Sequence, residues 1–232
     1  MIQIFTGTPG SGKSYNMARR IRRALLRGKN VISTVPIDIE YISKGGRKAI
    51  GDYIYIPIDE LTPEVLYIYM VEVHEKGIEG QTLVFIDECQ IIFNSRQWNQ
   101  EGRKEWIIFF STHRHLGFDI FLITQNDGFV DKQIRPLIET ESKHKKMSQW
   151  LWFIPFTIFT VREEWYNHTQ KVKIAFEFVP CRKSVFKVYD SYTVFREVYD
   201  KYTDKIHLLD KYRYTESPIS TPEAEALEDI DT

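Results

Sequence analysis

The chain has 232 residues, 43% of them hydrophobic and 14% aromatic, enough to bury one sizeable α/β core, or one core with a small appendage. Lys and Arg number 31 against 32 Asp and Glu, a net charge of −1. This excludes an overall field that would draw the chain onto DNA or an acidic membrane, so any such patch must be local. Two cysteines, Cys89 and Cys181, exclude a disulfide framework and fit a reducing compartment.

The first apolar run, Ile2-Gln3-Ile4-Phe5-Thr6, reads as a buried strand. It leads straight into Gly7-Thr8-Pro9-Gly10-Ser11-Gly12-Lys13-Ser14, a full match to the phosphate-loop pattern G-x-x-x-x-G-K-[ST]. No signal peptide is expected from so short a run. A helix follows over Tyr15 to Arg27, free of Pro and Gly. Glycines let the backbone turn tightly and approach an anion, and the start of the helix favours negative charge. The predicted nucleotide-binding residues are Gly7, Thr8, Pro9, Gly10, Ser11, Gly12, Lys13, Ser14 and Tyr15. Lys13 would reach the β- and γ-phosphates of ATP, and the Ser14 hydroxyl would hold Mg²⁺.

Basic side chains Arg19, Arg20, Arg22, Arg23 and Arg27 crowd the first helix. Helix phase spreads them over more than one face, so they are read as a solvated, dipole-compensating surface rather than a track for nucleic acid. Asn30 to Val35 reads as a second strand, and Ile37 to Gly51 as an exposed loop. Asp52 to Ile58 reads as a short strand. A helix should begin at Thr62-Pro63-Glu64 and end by Gly77.

Thr82-Leu83-Val84-Phe85-Ile86-Asp87-Glu88 is an apolar strand ending in two acids. Behind a phosphate loop, such a pair serves phosphoryl transfer. Asp87 would bind Mg²⁺ indirectly or through Ser14, and Glu88 would polarise the attacking water. Cys89 reads as a small packing residue. Gly102 to Leu116 should form an amphipathic helix, and Asp119 to Thr124 a buried strand ending at Gln125, a candidate sensor of the γ-phosphate or water.

Val130 to Glu139 is predicted as a further helix, followed by the basic cluster Lys143-His144-Lys145-Lys146. From Trp150 onward strands are expected: Trp150 to Val161 around Pro155, Lys171 to Val179, and Ser184 to Asp190. Thr193 to Tyr202 reads as a short helix. The tail, 215–232, carries six acids and reads as disordered. Residues 1–147 are thus read as a P-loop core, 148–214 as a β-rich extension of the same domain, and 215–232 as a tail. The fold class is an α/β P-loop NTPase, RecA/FtsK-like, with a parallel central sheet flanked by helices.

The chain resembles the zonular occludens toxin (Zot) family of filamentous phage assembly proteins, in the FtsK–HerA branch of phosphate-loop ATPases. The resemblance rests on Gly7 to Ser14, on Phe85 to Glu88, on His113-Arg114-His115-Leu116-Gly117-Phe118-Asp119-Ile120, on Thr124-Gln125, and on Val130-Asp131 to Arg135. It implies an ATP- and Mg²⁺-dependent ring homo-oligomer, hexamer-like, at the cytoplasmic face of the host inner membrane. Such a ring drives extrusion of the particle or its single-stranded DNA, with phage or host membrane proteins as partners. It also implies an arginine reaching into the neighbouring subunit's site, for which Arg114 and Arg135 are the candidates. Family members usually carry a spanning helix that this sequence lacks, which points to a membrane partner or a truncated form. The alternatives are a soluble DNA-translocating or packaging ATPase, and a nucleotide-gated interaction module with little turnover.

Overall fold

A computed structural model describes residues 1–95, 102–147, 157–166 and 172–189, together with Thr203 and Lys205. The chain divides into two units, Met1–Asp190 and Ser191–Thr232, and the architecture below belongs to the first.

β1 (Ile2–Thr6) is buried along its whole length, as befits a strand covered on both faces. It pairs in parallel with β5 (Phe118–Ile123) on one side and β6 (Thr140–Lys146) on the other. The remaining strands are β2 (Asn30–Ser33), β3 (Tyr53–Tyr55), β4 (Thr82–Ile86), β7 (Ile158–Trp165) and β8 (Lys173–Pro180). They make one sheet in the order β3-β2-β4-β5-β1-β6-β7-β8. The six strands from β3 to β6 are parallel, whereas β7 and β8 are antiparallel additions.

Alternation along the strands divides the core in two. Ile2, Ile4, Val84, Ile86, Ile120 and Leu122 face α3 (Pro63–Val73) and α4 (Arg103–Thr112), packing on Leu66, Trp106, Phe109 and Phe110. Phe5, Phe85, Phe121 and Ile123 face the opposite way, onto Met17, Ile21 and Leu25 of α1 (Lys13–Leu25). α2 (Ile39–Ser43) and α5 (Lys183–Phe186) add Ile42 and Val185 to that second core. The helix starts follow local chemistry: the Thr62 hydroxyl accepts from the Val65 N–H with Pro63 at the first helical position.

Several expectations are corrected. Val130–Glu139 is not an α-helix; it holds only a single 3₁₀ turn, Arg135–Leu137. Val130, Ile134 and Ile138 are buried at helical spacing, but Pro136 brings no N–H, and the Asp131 carboxylate takes the Gln133 N–H at 2.7 Å. The cluster Lys143–Lys146 is the second half of β6. Ser184–Asp190 contains helix α5 instead of a strand. The loop over Ile37–Gly51 contains α2, capped by the Asp38 carboxylate on the Tyr41 N–H. The Trp150–Val161 run is described only from 157, where it enters β7; residues 148–156, the helix expected over Thr193–Tyr202 and the tail 215–232 lie outside the described residues.

Candidate functional site

The phosphate loop leaves the carboxyl end of β1 and enters α1. Gly7 has φ +143° and Gly12 φ +97°, regions that side chains rarely adopt. Space is as decisive as backbone conformation. A Cβ on Gly7 would stand 2.5 Å from the His144 carbonyl oxygen, and one on Gly12 2.5 Å from the Phe159 ring. The loop is therefore seated directly against β6 and β7. Thr8, Pro9 and Gly10 are exposed at its crest, whereas Ser11 is buried with its Oγ unpartnered.

Lys13 is 8% exposed, and its ammonium donates to the carbonyls of Gly7 at 2.7 Å and Thr8 at 3.2 Å. The charge is thus held in the mouth of the loop. Burial lowers its pKa, while Glu88 and Asp87 pull it back up. The Tyr15 side chain points elsewhere: it packs between Phe159 and Phe186 and donates to the Pro180 carbonyl at 3.0 Å.

β4 is separated from β1 by β5 alone, so its end lies beside the loop. The Ser14 hydroxyl is 3.4 Å from Asp87 Oδ2. Burial and the adjacent Glu88 charge push the Asp87 carboxyl up to about 6. Its backbone N–H donates to Thr34 Oγ1 in the β2–α2 connection at 2.9 Å, a contact that sequence patterns did not single out. Glu88 takes left-handed backbone angles, φ +48°, an uncommon state for a non-glycine residue that is concentrated at functional sites. Gln90 holds its carboxylate through a side-chain hydrogen bond.

The residues fit a magnesium ion. One carboxylate and one hydroxyl are hard oxygen donors, and no group of three or more acidic, His or Cys ligands stands among the described residues. An ion held there would take its other ligands from phosphates and water.

Gln125 is exposed at the end of β5, and its carbonyl accepts the Gly7 N–H at 3.2 Å. It lines a cavity of about 600 Å³ with the loop, Asn126, Asp127, Glu141, Lys143 and His144. This cavity lies on the β6 side of the loop, whereas Ser14, Asp87 and Glu88 lie on the β4 side. Glu141 accepts from Thr6 Oγ1 at 2.6 Å, and Lys143 bridges Glu141 and Glu164 at 3.2 and 3.1 Å. Sequence reasoning took Lys143 and His144 only as members of a basic cluster and missed Glu141 and the strand that carries all three. The available signal was the alternation in Thr-Glu-Ser-Lys-His-Lys-Lys, which sends Ser142 and His144 inward and the charges toward the cavity.

The two arginines are placed very differently. Arg114 sits at the amino ends of β1 and β5, the opposite end of the sheet from the loop, bonded to Glu139 at 2.6 Å with its side chain 53% exposed. Arg135 donates to the carbonyls of Val130 and Gly128 at 2.8 and 2.7 Å. It borders a second cavity that shares Asp127, Glu141 and Lys143 with the first.

A parallel sheet with a phosphate loop at the end of β1, and an acid pair on β4 beyond the intervening β5, defines the P-loop NTPase class. The same fold occurs in a DnaB-like replicative helicase, with a TM-score of 0.55 at 9% identity over 78% of this chain and 56% of that one. The N-terminal domain of zonular occludens toxin from Neisseria meningitidis superposes with a TM-score of 0.51 at 20% identity, over 82% of this chain and 98% of that domain. The chain belongs to the zonular occludens toxin (Zot) family, whose model matches residues 1–195. Gene 1 protein of Enterobacteria phage I2-2 is 30% identical over 134 residues, 58% of this chain and 37% of that protein. The chain thus spans little more than a third of the phage relative's length. Among the described residues no helix is long and apolar enough to cross a membrane.

Proposed function

We propose that this chain is the ATP-hydrolysing motor module of filamentous phage assembly, working as a ring of identical subunits at the cytoplasmic face of the host inner membrane with membrane-borne assembly proteins. The observation that carries the reading is the convergence of Lys13 Nζ on the loop carbonyls with Ser14 Oγ 3.4 Å from Asp87, beside Glu88. Membership of the Zot family and the likeness to a phage gene 1 protein support the biological setting.

In this reading the backbone N–H groups of Gly7 to Ser14 cradle the phosphates of ATP, and Lys13 leaves the Gly7 and Thr8 carbonyls to neutralise them. Ser14 and Asp87 would hold Mg²⁺, which would supply neutralisation of phosphate charge. Glu88 orients and deprotonates water, and Gln125 reports on the γ-phosphate from the end of β5. An arginine of the neighbouring subunit completes the charge balance. Arg114 suits that role better than Arg135. One exposed ion pair, worth about 1 kcal/mol or less, holds it, whereas Arg135 would have to abandon two backbone carbonyls.

The test is the ATPase rate per subunit against protein concentration, for the wild type and for Lys13→Ala, Arg114→Ala and Arg135→Ala. The expected result is a rate that climbs with concentration, is abolished by Lys13→Ala, and collapses in Arg114→Ala. A rate per subunit that is flat with concentration and indifferent to either arginine would replace the ring with a self-contained switch.

A further inference from the structure

Five arginines line one cavity of about 310 Å³: Arg19, Arg22, Arg23 and Arg27 from α1 and its C-terminal turn, and Arg182 from the β8–α5 connection, over Tyr15. The helical phase that seemed to scatter the arginines instead separates one from the rest. Arg20 turns to the other side, where it lies over the Phe5 and Phe121 rings and donates to Gln3 at 2.7 Å. Positions 19, 23 and 27 repeat every four residues and share one face with 22. The second wall is fixed by Tyr15, whose hydroxyl accepts the Arg182 N–H at 2.8 Å and donates to the Pro180 carbonyl at 3.0 Å.

Among the described residues this charge is balanced only in part. Glu177 takes Arg19 through two hydrogen bonds of 2.7 and 2.6 Å. Among the described residues Arg22, Arg23, Arg27 and Arg182 form no ion pair, and Arg22 buries its Nε with no hydrogen-bond partner. A buried donor left unpaired is costly, and like charges gathered around a low-dielectric cleft repel. Both costs fall when an anion with several acceptor oxygens enters. In a chain of net charge −1, such a concentration of guanidinium groups is a local feature of this face.

We propose that this arginine cleft binds the phosphate backbone of a single-stranded nucleic acid, at a site separate from the nucleotide pocket. Guanidinium groups match phosphate oxygens in geometry as well as charge. Arg23 and Arg27 stand about 6 Å apart along the helix axis, beyond Arg19, which Glu177 holds, and successive phosphates can follow them. Phe186, 54% exposed, lies with its ring 5.0 Å from Tyr15 and offers a π-face on which a base can stack. A flexible strand can enter a concave cleft and reach the recessed Arg22, whereas a planar lipid headgroup layer cannot. The cleft thus favours a strand over a membrane surface.

The experiment is fluorescence anisotropy of a labelled oligothymidylate with the full chain, titrated at increasing salt. Wild type is compared with Arg23→Ala/Arg27→Ala, Phe186→Ala and Lys13→Ala. Arg23 and Arg27 are exposed, so an unchanged thermal midpoint is expected for the double variant. Its affinity should fall tenfold or more, and its log–log salt slope should shrink by about 1.4, two phosphate contacts at about 0.7 each. Phe186→Ala should weaken binding severalfold without changing the slope, and Lys13→Ala should bind as the wild type does. Unchanged oligonucleotide affinity in the double variant would overturn the proposal. So would loss of binding in Lys13→Ala, which would move the strand to the nucleotide pocket. Phosphatidylglycerol vesicles serve as the second probe: binding to them, but not to the oligonucleotide, that disappears in the double variant would assign the cleft to lipid instead.

Discussion

Acidification from pH 7.5 to pH 5 should cost the fold about 2 kcal/mol through His144 alone. His144 is 2% exposed. It is wedged between the end of β1 and the first turn of α1, with its Nε2 3.0 Å from the Asn16 amide nitrogen and its Nδ1 3.3 Å from the Thr6 carbonyl. Those partners define a neutral ring that donates from Nδ1 and accepts at Nε2. Burial lowers its pKa to about 4, against about 6.5 in an unfolded chain. The folded state therefore refuses a proton that the unfolded state accepts. Its contribution is intact above about pH 6.5 and falls away as the pH drops toward 4, with a limit of about 3 kcal/mol. The assay is urea unfolding at several pH values for the wild type and His144→Gln. The variant starts from its own stability, so the quantity to compare is the change between pH 7.5 and pH 5. Wild type should lose about 2 kcal/mol more than the variant over that interval. Equal losses would mean that His144 is not held neutral, and the account of how β6 seats the phosphate loop would fail with it.

Glu88→Gln should leave ATP affinity within about threefold while cutting turnover by about a hundredfold or more. Nucleotide titration beside steady-state hydrolysis checks this, and turnover at the wild-type rate would remove Glu88 from the catalytic role. Gly12→Ala faces both a φ of +97° and a ring carbon 2.5 Å from the new Cβ. About 2–4 kcal/mol of stability should be lost, and nucleotide affinity with it, as read by denaturant midpoints and by titration. Chelation with EDTA should abolish hydrolysis while nucleotide remains bound more weakly, and added Mg²⁺ should restore the rate; hydrolysis undiminished by the chelator would refute the assignment of Ser14 and Asp87.

The nucleotide end of the sheet was legible because its constraints are local. Strand, glycine loop and helix are contiguous from Ile2 to Leu25, and an apolar strand ending in Asp87-Glu88 announces itself. β6 was not legible, because it is polar. Its Glu141, Lys143 and His144 are satisfied by Thr6, Glu164 and Asn16, residues distant in the chain, so no periodicity of apolar residues marks it. Val130, Ile134 and Ile138 misled in the other direction. Their spacing mimics a helix, yet the same burial is met by turns tied through Asp131 and Arg135. The arginine pattern on α1 could be read for phase, but Arg182, which closes the other side of the cleft, lies more than 150 residues away in sequence.

The pairing of β1 has a consequence for biosynthesis. Its neighbours in the sheet begin at Phe118 and Thr140, so the strand that carries the phosphate loop is translated well before either partner. At about 5–20 residues per second, the wait is on the order of ten seconds. Throughout it the Ile2-Gln3-Ile4-Phe5-Thr6 strand, later buried along its whole length, has neither of its neighbours to pair with. Gly7 gains its seat against the His144 carbonyl only once β6 has docked, and until then β1 is the segment that a chaperone would be expected to hold.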